Sequence, residues 1–150
     1  MALDTILLAV GSGDRGRTDR ITDAVVDVAG PTGATVVLAH VFTEAGFEDV
    51  VDQLDYDPGS DADADDVAAR LGAIQDAGGT LDGAGIDYDV VGAVSEDPGD
   101  AVVGLAETVG ADQVFIGGRK RSPVGKAVFG STAQTVALNA PCPVTFVKQQ

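Results

Sequence analysis

Five short apolar runs, set apart by amphipathic and polar stretches, constrain this chain more than any other feature. They are "LDTILLAV" (3–10), "ATVVLAHVF" (34–42), "IDYDVVGAV" (86–94), "DQVFIGG" (112–118) and "PVTFVK" (143–148). Each is rich in Val, Ile or Leu without strict alternation, the pattern of strands buried on both faces. Helical spacing lies between them. Ile21, Ala24, Val25 and Val28 recur at i, i+3, i+4 and i+7, in a helix that starts near Thr18 and stops at Gly30-Pro31. Val67, Leu71, Ile74 and Leu81 mark a second helix with an Asp-rich start, which suits the positive end of a helix dipole. Val102, Leu105, Ala106 and Val109 mark a third, with Asp97 as N-cap and Pro98 at the first helical position. A fourth runs from Gly130-Ser131 to Asn139. Strands alternating with helices form right-handed parallel βαβ units. The expected fold is therefore α/β: one doubly wound, five-stranded parallel sheet with helices on both faces, a single domain over 1–150. Residues 43–66 hold ten carboxylates and read as an acidic, flexible connector, or as a lid over a site.

Charge narrows the partners. The chain carries 24 acids against 9 bases, a formal net charge of −15. Such a surface repels itself in dilute buffer, and at about 1 M salt, where the screening length is roughly 3 Å, that repulsion is largely removed. The expectation is a protein of a high-salt cytoplasm. Nucleic acid is not an expected partner, because phosphate backbones call for a basic face. No membrane is expected either: no apolar stretch nears the roughly 18 residues of a span, and Asp4 stands where a signal peptide would be positive.

Seven of the nine bases sit in two places. Arg15, Arg17 and Arg20 follow the first strand; Arg119, Lys120, Arg121 and Lys126 follow the fourth. Both segments leave the carboxyl ends of strands, where doubly wound sheets bind ligands. Two convergent basic, Gly-rich loops concentrate an anion such as phosphate. The first loop, "GSGDRG" (11–16), has the G-x-G-x-x-G spacing of dinucleotide sites. It lacks the acid at the end of the second strand that such sites use, and its third glycine reads as lying before the helix, so NAD and FAD are not expected. The second, "GGRKRSPVGKAVFGSTAQTV" (117–136), is not a P-loop, since Ala127 follows Gly125-Lys126. Its Gly130-Ser131-Thr132 opens a helix whose free N–H groups and two hydroxyls can hold phosphate oxygens.

Over its whole length the chain resembles the universal stress protein family. Gly117, Lys120 and Gly130-Ser131 reproduce the spacing G-x2-G-x9-G-(S/T) of its nucleotide-binding members, with Lys120 in place of a glycine. "TILLAV", "GATVVLAHV", "SEDPGDAVVGLAETVGADQVFIGG" and "APCPVTFV" resemble its strands and its third helix. The resemblance implies strand order 3-2-1-4-5, homodimers paired through the fifth strand, and ATP or AMP, with Mg as companion ion, as ligand. It places Ala9 and Gly11 at adenine and ribose, Val41 beside adenine, and Gly117, Arg119, Lys120, Gly130, Ser131 and Thr132 at ribose and phosphates. Two positions depart from it. Gly11 stands where binders carry Asp, with Asp14 able to reach in from the loop. Lys120 either contacts phosphate or fills the pocket. The expected function is a cytoplasmic, stress-related adenine-nucleotide binder with no catalytic residues, at most a slow ATPase. The alternative is a regulatory or protein-interaction module of the same fold with an empty site.

The remaining reactive residues read as structural. His40 is the only histidine and Cys142 the only cysteine; they form no zinc spacing. Ser12 lacks the G-x-S-x-G order of a nucleophile elbow. Asp97 and Asp100 read as helix capping rather than a carboxylate pair.

Overall fold

Apolar side chains on both faces of every central strand leave a parallel sheet only one stable arrangement, with helices covering each side. The computed structural model describes residues 3–11, 15–54, 63–117 and 130–147, with 15–18 as backbone alone. Its elements run β1 (Thr5–Ala9), α1 (Arg15–Thr32), β2 (Thr35–Phe42), α2 (Glu44–Gln53), α3 (Ala64–Ala69), α4 (Gly72–Gly83), β3 (Tyr88–Val94), α5 (Pro98–Val109), β4 (Gln113–Gly117), α6 (Ser131–Asn139) and β5 (Val144–Val147). The five strands form one parallel sheet in the order β3-β2-β1-β4-β5, as expected. Among the described residues no helix is long and apolar enough to cross a membrane.

Alternate side chains of the strands feed two cores. Ile6, Leu8, Val36, Leu38 and Phe115 meet Ile21, Val25 and Ala29 of α1 and Ile74, Ala77 and Leu81 of α4. Leu7, Val37, Ala39, Val114 and Ile116 meet Val102 and Ala106 of α5 and Ala133 and Val136 of α6 on the other face. All of these are buried, and each Val, Leu, Ile or Phe among them contributes about 1.5–3 kcal/mol relative to leaving it in water. The helix after β1 therefore lies on one face, and the helix that follows β4 in sequence lies on the other.

The described elements differ from the sequence reading at four points. The stretch 43–66 is not a plain connector: Thr43 caps α2, its hydroxyl accepting the Gly46 N–H at 3.1 Å, and Asp63 caps α3 by accepting the Asp65 N–H at 2.8 Å. The helix expected through Val67 and Leu81 is two helices, because Leu71 adopts an extended backbone (ψ 139°) between them. Helix α1 runs past Gly30 to Thr32 with Pro31 inside its last turn; the Thr32 hydroxyl closes that end on the Val28 carbonyl at 2.7 Å. Its start is also earlier than Thr18, so Gly16 is helical. The third glycine of G-x-G-x-x-G thus does lie in the helix; the want of an acid at the very end of β2, where Glu44 comes only after Thr43, still speaks against a dinucleotide.

Helix α3 crosses the outer edge of β3. Asp65 accepts the Gly92 N–H at 2.7 Å, and a Cβ on Gly92 would collide with the Ala64 carbonyl. At the opposite edge β5 pairs with β4 alone.

Candidate functional site

The helices that follow β1 and β4 in sequence lie on opposite faces of the sheet, which makes the carboxyl ends of these two neighbouring strands the switch point where doubly wound sheets bind ligands. Ala9 pairs with Ala39 of β2 on one side and Ile116 of β4 on the other. Ala9 and Val41 are half-buried and share the α5/α6 face. Gly117 ends β4 one position beyond Ile116. The expected adenosine-side residues Ala9, Gly11, Val41 and Gly117 are thus brought to one end of three adjacent strands.

Gly11 is exposed, and nothing described lies within 4 Å of where its Cβ would stand. Its backbone is not left-handed either, so neither sterics nor dihedral demands glycine here.

The expected phosphate-side residues Gly130, Ser131 and Thr132 lie at the start of α6. Gly130 is its N-cap, extended at φ −67°, ψ 160°, and among the described residues no side chain caps the helix, as is also the case for Leu71 at α4. The first helical bond described is from the Gln134 N–H to the Gly130 carbonyl, at 3.0 Å. The N–H groups of Ser131, Thr132 and Ala133 precede it and carry the positive end of the dipole. Elsewhere Thr43, Asp63 and Asp97 fill this role for α2, α3 and α5. Ser131 is exposed and Thr132 half-buried, so two hydroxyls accompany the open N–H groups.

Arg119 and Lys120 lie outside the described residues, as do Asp14, Arg121 and Lys126. Arg15 and Arg17 fall in the first turn of α1, and Arg20 is exposed one turn on. The N-terminus of α1, like that of α6, has no acid in its first turn. Among the described residues no group of three or more His, Cys, Asp or Glu side chains could hold a metal.

His40, read from the sequence as structural, is buried and hydrogen-bonded next to the expected site residues. Its Nδ1 lies 2.8 Å from the Val10 carbonyl, between the candidates Ala9 and Gly11, and its ring meets Phe42 edge-on at 4.5 Å. Burial lowers its pKa from 6.5, against a smaller upward effect of that hydrogen bond. Asp97 and Asp100 are a cap, as expected: the Asp97 carboxylate accepts the Asp100 N–H at 3.4 Å. The Asp100 carboxyl is raised by its hydrogen bond to Asp97 and by that neighbour's charge. Burial, and then the charge of Asp112, raises the Cys142 thiol above its ordinary value, which favours the protonated form.

The model of the universal stress protein family matches residues 3–148. The chain belongs to this family. A universal stress protein of Mycolicibacterium smegmatis (strain ATCC 700084 / mc(2)155) is 34% identical over 88 residues, which cover 59% of this chain and 68% of that one. Among solved structures, a universal stress protein in complex with cAMP aligns over 100% of both chains, with a TM-score of 0.69 and 20% identity. The universal stress protein of Archaeoglobus fulgidus in complex with dAMP also aligns over 100% of both, with a TM-score of 0.66 and 22% identity. At those identities the likeness is one of fold.

Proposed function

We propose that this universal stress protein binds an adenine nucleotide, ATP or AMP, in the crevice between β1 and β4. One observation carries the reading: α6 begins at Gly130 without a side-chain cap, presenting backbone N–H groups and two hydroxyls to an anion. Fold relatives complexed with cAMP and dAMP support adenine as the base. Ala9 and Val41 form its apolar floor, Gly117 lets the ribose approach the backbone, and Ser131 and Thr132 meet the phosphates. Arg119 and Lys120 complete the phosphate side as charges. With ATP as the ligand, Mg would be its companion ion and would offset phosphate charge.

The proposed chemistry is binding rather than turnover: hydrolysis calls for a positioned base, and among the described candidate residues, Ala9, Gly11, Val41, Gly117, Gly130, Ser131 and Thr132, none is one. The half-buried β5 edge, with Leu138 75% exposed beside it in sequence, serves homodimerisation. The acidic surface suits a salt-rich cytoplasm of the haloarchaeal kind. Thermal-shift measurements with ATP, AMP and NAD in high KCl test the reading. Stabilisation by ATP or AMP and none by NAD is expected. No shift with any of them at millimolar concentration would favour the interaction module, and steady turnover would favour an enzyme.

A further inference from the structure

We propose that His40 is a positioning residue, whose imidazole holds the Val10 carbonyl and so sets the spacing between the Ala9–Gly11 and Val41 walls of the crevice. The proposal rests on the adenine-nucleotide reading for its consequence, though not for its geometry. The β1/β2 register ends at Ala9↔Ala39, and one further backbone bond, from the Val10 N–H to the Ala39 carbonyl at 2.8 Å, closes the ladder. Beyond it the two backbones part. In a continuing parallel ladder the Val10 carbonyl would accept the N–H of Val41. Here it meets the His40 side chain instead.

A carbonyl only accepts, so Nδ1 carries the proton and Nε2 is bare. The imidazole spans the gap that a backbone rung would have closed, and it does so one residue before Val41 and one residue before Gly11. Both Val10 and His40 are buried, at 6% and 5% exposure. Without the imidazole the Val10 carbonyl would lose its donor in a place water does not reach, and the exit of β1 would shift to find another. A side chain that merely filled space would need no donor at Nδ1. Asparagine places an amide N–H where the imidazole has Nδ1–H; leucine keeps the volume and removes the donor.

Three measurements on the full chain test this. Nitrogen-15 spectra of the wild-type imidazole should show the Nδ1–H tautomer near neutral pH; the Nε2–H tautomer would overturn the proposal without any variant. In the nucleotide-free protein, His40→Leu should speed exchange of the Val10 amide about tenfold relative to Leu7, while His40→Asn stays within about threefold of wild type. Equal effects of the two variants, or an unchanged ratio in His40→Leu, would overturn it. ATP titrations should follow the same order, with Kd raised about tenfold in His40→Leu and held within about threefold in His40→Asn. Weakening by both variants alike, or by neither, would contradict the spacing role. Should the wild type bind no ATP or AMP, the nucleotide reading fails by itself; the tautomer and exchange results still decide the tether.

Discussion

His40 and Gly11 are the residues on which the site turns in opposite ways, one fixed by its surroundings and the other free of them. The folded chain holds His40 neutral, with a pKa below its ordinary 6.5, chiefly through burial. As pH falls below about 6.5, the unfolded chain takes up a proton that the folded one refuses. Stability contributed by the neutral ring is therefore complete above that value. It is lost on the way down to the folded pKa, and no more is lost beneath it. Urea midpoints at about pH 7.5 and about pH 5.5, in constant KCl, should differ more for wild type than for His40→Asn, which cannot titrate. Gly11 has open space at its Cβ and an ordinary backbone. Gly11→Asp should accordingly leave the unfolding free energy in urea nearly unchanged, within about ±0.5 kcal/mol, as an exposed substitution does. If the family's aspartate acts here as the resemblance implies, it should tighten ATP several-fold in a fluorescence titration. Of the two, only Gly11 was legible in the sequence, as a departure from a spacing. The tether of His40 depends on how far β1 and β2 have parted, and a lone histidine in a strand pattern carries no mark of that.

At the scale of elements, the two sheet edges are treated differently. The edge of β3 is closed by α3: Asp65 occupies the Gly92 N–H, and the Ala64 carbonyl fills the space above Gly92. Such covering is how edge strands avoid pairing with other chains. Gly92→Ala should destabilise the fold by about 1–3 kcal/mol in urea unfolding, since the new Cβ meets backbone rather than a movable side chain. The strands, their parallel pairing and the last two helices could all be read from apolar runs and capping residues. Helix α2 could not, although Phe47, Val50, Val51 and Leu54 keep helical spacing. Four acids among ten residues outweighed that signal, and none of its side chains is fully buried. They pack on a small third core around Phe42, Val67 and Ala68, with Phe47 edge-on to Phe42 at 5.2 Å. The break between α3 and α4 was hidden for another reason. Val67 and Leu71 are in helical register across it, but the first helix serves the edge of the sheet and the second its face.

For the whole molecule, charge and fold pull against each other. A net charge of −15 on 150 residues opposes compaction in dilute buffer. The melting temperature should rise by several degrees or more between roughly 0.1 M and 2 M KCl, as screening removes repulsion; indifference to salt would count against a salt-rich setting. The same excess of acid makes the placing of the bases informative. Seven of nine follow β1 and β4, strands that prove to be neighbours in the sheet. The helix that follows β4 in sequence opens uncapped. Whether an anion lodges there is decided by native mass spectrometry of the full chain purified in high salt. One adenine nucleotide per chain is expected, either carried through purification or taken up from micromolar ATP or AMP. A chain that stays at its own mass with millimolar ATP and AMP present would contradict the adenine-nucleotide reading.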